Sequence, residues 1–202
     1  MHKSHLQMTE DYVQALLAQR TPQKNTYHNL AHTQNVVSAS IEIGTGEHLN
    51  PEEMDILQIA AWFHDTGYIE KSSGHEEISA MFASNFLSEN GYPHDRIDKI
   101  VKCILATKVP QNPKSKLENI LCDADLHHLG KKYFFEQNDK FRPEFEYHKG
   151  RKLTEYEWLV TTIDFATRHR FFSDYAVKNF SGQKDENIKI LLDQLEKLIH
   201  KP

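Results

Sequence analysis

Ile59-Ala60-Ala61-Trp62-Phe63-His64-Asp65-Thr66-Gly67 is the stretch that decides how this chain is read. Five apolar residues run directly into a histidine and an aspartate, and a glycine follows two residues later. The run is read as the end of a helix that opens at Asn50-Pro51, a cap followed by proline at the first helical position. Gly67 breaks that helix. An ionised carboxylate closing a buried segment is costly unless it sits in an ion pair or on a metal.

Working outward, the apolar spacing is helical nearly throughout. Thr9 is expected to cap a first helix with Tyr12, Val13, Leu16 and Leu17 on its apolar positions, ended by Thr21-Pro22. A second helix is predicted from about Leu30 to Ile43, with Val36, Val37, Ser40 and Ile41 on one face, stopped by Gly44 and Gly46. Further helices are predicted over about His75–Asn90 and Pro93–Ala106, the second with Ile97, Ile100, Val101, Ile104 and Leu105 apolar. Ser115 caps another through Asp125 to Leu129. Thr154 with Glu157 forms a capping box that opens a long helix through Trp158, Ile163, Phe165 and Phe172. An amphipathic helix covers about Asn187–Ile199. With no strand series and no repeat, the fold class is all-α, a compact helical bundle.

At 202 residues the length suits one domain, expected over 1–202, with a core at about 25–130 and a C-terminal helical extension at about 131–202. Apolar residues at 39% and charged residues at 26% describe an ordinary globular chain. A net charge of −5 speaks against general nucleic-acid binding. Cys103 and Cys122 lie in apolar helical patterns and read as buried thiols, not as a disulfide framework. The start, Met1 to Tyr12, is polar and unlike a signal peptide, and no run reaches the roughly 18 apolar residues of a membrane span. A cytoplasmic protein is expected.

Two further segments give the His-Asp pair a context. Tyr27-His28-Asn29-Leu30-Ala31-His32 lies upstream, and Leu121-Cys122-Asp123-Ala124-Asp125-Leu126 lies downstream. The order is His … His-Asp … Asp. Imidazole nitrogen and carboxylate oxygen suit divalent first-row metals. On a continuing helix His64 and Asp65 would point about 100° apart, so they converge on one ion only near a helix end. Asp123 or Asn29 is available to the second ring nitrogen of a ligating histidine.

The sequence resembles the HD-domain superfamily of metal-dependent phosphohydrolases, and more closely its bacterial predicted-phosphohydrolase branch. The resemblance rests on Tyr27-His28-Asn29-x-x-His32, Ala60 to Tyr68, Glu76-Glu77-x-Ser79-Ala80, Asp123-Ala124-Asp125-Leu126 and Leu129-Gly130. It implies that His32, His64, Asp65 and Asp125 bind a divalent metal (Mn, Mg, Ni, Co, Fe or Zn), one per chain, with a second as the alternative. It also implies a small phosphorylated substrate, a nucleotide by expectation, attacked by metal-activated water that Asp65 orients. Lys108 is the first choice for neutralising phosphoryl oxygens, and Arg142 the second unless it pairs with Glu144. Glu70, Glu76 or Glu77 could act as general acid, with Glu76 our choice.

The remaining histidines bear on metal count. His75 and His94 fall between the His-Asp pair and the last aspartate, where dinuclear members of the superfamily add ligands. His28 either lines the pocket or packs. Alarmone hydrolases of the superfamily carry a Glu-Asp pair shortly after the His-Asp, and here that place reads Thr66-Gly67-Tyr68-Ile69-Glu70. Two other functions stay open: a di-iron oxygenase on the same scaffold and a catalytically silent nucleotide-binding protein. The C-terminal aromatics, including Phe134, Trp158, Phe165 and Phe172, read mostly as helix packing, with a few rings available to cover a base or form a homodimer face.

Overall fold

A computed structural model describes residues 3–200. Among these residues the chain forms nine α-helices, two short 3-10 turns and no strand. The helices are α1 (His5–Arg20), α2 (Leu30–Gly46), α3 (Pro51–Phe63), α4 (His75–Glu89), α5 (His94–Ala106), α6 (Lys116–Asp125), α7 (Phe134–Lys149), α8 (Glu155–Arg168) and α9 (Asp174–Ile199). None is long and apolar enough to cross a membrane.

The run quoted first forms the centre of the bundle. Ile56, Leu57 and every residue from Ile59 to Phe63 are buried, so the second half of α3 is apolar all round. Helices α1, α2, α5 and α6 pack around it. Its start is fixed by a capping box between Asn50 and Glu53. Its end is fixed by Thr66, whose hydroxyl donates to the Phe63 carbonyl at 2.8 Å. Gly67 follows because the 3-10 turn Thr66–Ile69 presses on the start of α4. A Cβ at Gly67 would stand 2.1 Å from the His75 carbonyl oxygen.

Several expected boundaries are corrected. Ser4, not Thr9, caps α1, and Thr9 is buried inside the helix. Helix α2 continues through Gly44 to Gly46, because Met54, Leu49 and Leu57 crowd Gly44 and Tyr175 crowds Gly46. Glycine here serves close packing, not termination. Ile43, not Ile41, completes its buried face. Helix α6 stops at Asp125, and the 3-10 turn His127–Gly130 replaces its expected last turn.

The larger corrections lie in the C-terminal part. Helix α7 was not anticipated. Pro143 sits inside it, and its aromatic-rich composition lacks a strong aliphatic stripe. The long helix expected through Phe172 stops at Arg168, and a new one begins at Asp174. The break is held by Asp123. Its carboxylate accepts the Phe172 N–H at 2.8 Å, the Ser173 N–H at 2.7 Å and the Ser173 hydroxyl at 2.6 Å. Ser173 in turn caps α9. Both cysteines are free and buried, as expected.

Candidate metal centre

Three helix ends bring four side chains to one point. The Asn29 side chain caps α2 by accepting the Ala31 and His32 N–H groups, which sets His32 in the first turn. His64 follows the last residue of α3 in a helical conformation, and Asp65 leaves it at φ −112°, ψ 6°. That departure is what lets two adjacent residues face one point. Asp125 is the last residue of α6. One ligand atom from each of His32, His64, Asp65 and Asp125 lies within 4.8 Å of all the others.

The separations fit a shared cation. His32 Nε2 and His64 Nε2 each lie 3.2 Å from Asp65 Oδ2 and 3.4 Å from one another. They stand 3.3 and 3.6 Å from Asp125 Oδ1. Two ligands each about 2.1 Å from one ion lie about 3.0–3.4 Å apart in octahedral or tetrahedral arrangements. Asp65 Oδ2 is buried and yet accepts no hydrogen bond of sound geometry, which is costly for a carboxylate oxygen without a cation. The His64 Nδ1–H donates to the Ala61 carbonyl at 2.7 Å, so its Nε2 presents a lone pair to the centre. This backbone carbonyl fills the role expected of Asp123 or Asn29; Asn29 instead caps α2, and Asp123 is taken up by Phe172 and Ser173.

Electrostatics agree with the distances. Burial pushes the Asp65 carboxyl up, but the neighbouring imidazoles, His64 foremost, hold it well below the usual carboxylate range. Asp125 is likewise lowered by His32 and His64 against its burial. Burial pulls both imidazoles down, and the two carboxylates more than reverse that. The four groups thus create a point that favours positive charge.

The other nominated residues divide into two groups. At the start of α4, His75 reaches the cluster and Glu76 lines a cavity beside it. His75 Nε2 stands 3.3 Å from Asp65 Oδ1, with Nδ1–H donating to the Ser72 carbonyl at 2.8 Å. Glu76 is buried, and its Oε2 has no partner. Lys108, Arg142 and His94 do not reach it. Lys108 is exposed and pairs with Glu77. Arg142 pairs with Glu146 and Glu155, not with Glu144. His94 is exposed at the start of α5.

His28 and Glu144 form the element that sequence reading did not resolve. The His28 ring stacks on Tyr68 at 3.8 Å between centroids, its Nδ1 bonds the Glu144 carboxylate, and its Nε2 lies 4.0 Å from Asp65 Oδ2. Glu144, 1% exposed, also accepts the Tyr27 and His28 N–H groups at 2.8 and 3.1 Å. Burial would raise its carboxyl; His28 and those two N–H groups hold it below the usual range. The available signal was an acid on the face of α7 that carries Phe141 and Phe145, where a core-facing stripe has no use for a charge.

A cavity of about 360 Å³ opens at the cluster. It is lined by Asp65, Asp125, His28, His75 and Glu76 and by rings from α7 and α8.

Fold and cluster together define an all-helical protein with a His/Asp cluster able to hold a metal ion. The HD domain model matches residues 29–164, and the chain belongs to the HD domain family. That span reaches past residue 130 and includes α7, which carries Glu144. No curated protein matches the sequence. Three solved structures share the fold. A predicted HD superfamily hydrolase from an uncultured Thermotogales bacterium is 17% identical, with 97% of this chain and 99% of that chain covered and a TM-score of 0.60. Bacillus subtilis YpgQ, solved in complex with ADP, is 19% identical over 97% of this chain and 95% of its own, with a TM-score of 0.67. A Lactobacillus plantarum protein is 14% identical over 100% of both chains, with a TM-score of 0.69.

Proposed function

We propose that this protein is a metal-dependent phosphohydrolase that cleaves a phosphoester of a small molecule, with nucleotides the first class to test. The observation that carries the reading is the meeting of His32, His64, Asp65 and Asp125 at a cavity that also exposes the His28–Glu144 pair. Support for nucleotides comes from the ADP complex of the similarly folded YpgQ.

A divalent ion held by the four ligands would supply an acidified water and draw charge from a phosphoryl oxygen. The chain's own groups do the rest. Asp65 Oδ1 faces the cavity side of the cluster and orients the attacking water together with His75. His28, with Nδ1 on Glu144 and Nε2 free on the cavity side, is the group placed to pass a proton to the leaving oxygen. Glu144 holds the ring and stabilises its charge, as an acid does for a catalytic imidazole. As the P–O bond to the leaving group breaks, a proton passes from His28 Nε2 to the departing oxygen; the water oxygen bonds to phosphorus and gives up one proton to solvent, from which His28 is reprotonated. Glu76 is the second candidate for the same proton.

One observation favours a second metal. Asp65 places Oδ2 near His32 and His64 and Oδ1 near His75, with Glu76 beside His75, so a second ion, if bound, would find Asp65, His75 and Glu76 as candidate ligands. Two irons with an oxygen-sensitive absorption band would turn the assignment to the oxygenase chemistry. The test is metal analysis followed by a phosphatase and phosphodiesterase screen with Mn²⁺, Mg²⁺, Ni²⁺ and Co²⁺. Metal-dependent turnover sustains the reading. Nucleotide binding without turnover under any of these metals would replace it with that of a silent binding protein.

A further inference from the structure

The cavity lining is of two kinds. Besides the acids and imidazoles of the cluster it has an aromatic wall of Phe134, Phe141, Phe145, Trp158 and Phe165 from α7 and α8, which begins where Phe141 packs 5.8 Å from the His28 ring. Phe141, Phe145 and Trp158 meet at 5.6–6.2 Å between centroids in tilted contacts. Such a wall receives a flat apolar body and penalises a charged one.

Charge inside the cavity is one-sided. Its lining contains Asp65, Glu76 and Asp125 and no lysine or arginine. Lys108, between the lining residues Thr107 and Val109, turns to Glu77. Arg142 rests 5.7 Å from the Trp158 ring centre and is committed to Glu146 and Glu155. One phosphoryl group can sit on the cluster. Each additional one would enter among carboxylates with no lysine or arginine to receive it.

Helix α8, which supplies Trp158 and Phe165 to that wall, also brings one unspent polar group to the cavity. Thr162 lines the cavity, is buried, and its hydroxyl has no hydrogen-bond partner. A ligand with a donor or acceptor on its ring edge would satisfy it. The volume of about 360 Å³ is near the low end for small-molecule sites and leaves no room for a dinucleotide.

From these observations we infer that the substrate is a monophosphate ester whose organic part is a flat aromatic ring with a hydrogen-bonding edge. The inference rests on the phosphohydrolase reading and narrows it: nucleoside monophosphates and substituted aryl phosphates fit, while nucleoside polyphosphates, among them the ADP bound by YpgQ, and sugar phosphates do not.

The test is calorimetric binding in the presence of Mn²⁺, using ligands that lack a cleavable ester, alongside turnover of AMP, ADP and ATP. Phenylphosphonate is expected to bind at least about tenfold tighter than methylphosphonate or methylenediphosphonate. Thr162→Val should weaken a carboxamide-substituted phenylphosphonate about fivefold and leave phenylphosphonate unchanged, with Thr162→Ser restoring the difference. AMP should exceed ADP and ATP in kcat/KM by about tenfold. The stated binding order without any turnover would sustain the ring selectivity and overturn the hydrolase reading. Turnover led by ATP, or equal affinity for phenylphosphonate and methylphosphonate, would overturn this inference and leave hydrolysis standing.

Discussion

His28 and Glu144 lie 116 residues apart and meet as a buried hydrogen-bonded pair whose free ring nitrogen faces Asp65. The pair joins the first motif of the chain to a helix that carries no motif of its own. If Glu144 serves His28, Glu144→Gln should lower kcat by about 10²-fold or more, the scale of a lost acid–base group. Bound metal and KM should change little, because the glutamine carbonyl still accepts from the Tyr27 and Tyr27-adjacent His28 amides. Steady-state kinetics with metal analysis decides the point. Loss of metal in step with activity would mark a purely structural role.

Asp123 should prove a fold-holding acid. It receives three donors from Phe172 and Ser173. Asp123→Ala strands them in a buried place, and urea unfolding should show a loss of about 2–4 kcal/mol. Asp123→Asn, which keeps one acceptor, should lose less. Equal stability of Asp123→Ala and the parent would contradict this.

Gly67 is required by a close approach of backbones. The Cβ of Gly67→Ala would meet the His75 carbonyl at 2.1 Å. The 3-10 turn must separate from α4, at a cost of about 3 kcal/mol, the upper range for overpacking. His75 should move with it. Unaltered thermal stability in Gly67→Ala would refute the contact.

These residues show what was legible beforehand. His32, His64, Asp65 and Asp125 stand next to strong local signals: an Asn cap, an apolar run, a glycine and a helix end. Capping and hydrophobic period are local physics and survive folding. Glu144 and Asp123 were not legible in their roles, because each acts on backbone or side chains far away in sequence. The break at residues 169–173 contains neither glycine nor proline, and Asp123 supplies it from outside. Lys108, at the end of an apolar helix before a proline-rich loop, and Arg142, beside Glu144 in sequence, had the charge a phosphoryl group needs, but Glu77 claims the first and Glu146 and Glu155 the second.

His169 gives the fold a pH dependence. Its ring is buried with both nitrogens unpartnered. Burial, with the nearby Lys184 ammonium, lowers its pKa from 6.5 to about 4. The unfolded chain therefore binds the extra proton between those values. Stability is fully present above pH 6.5 and is lost as pH falls toward 4, by at most roughly 3 kcal/mol. His169→Phe should lose less stability than the parent between pH 7.5 and 4.5 in urea titrations. Parallel losses would show that the ring is not responsible.

The central claim is that four side chains form one metal site, and Asp65→Ala tests it most directly. After reconstitution with Mn²⁺ and desalting, elemental analysis should find about one ion per parent chain, or two if Asp65 bridges. The folded variant, matched by circular dichroism, should retain essentially none, since it lacks the oxygen that both histidines approach at 3.2 Å. A full complement of metal in Asp65→Ala would contradict the account.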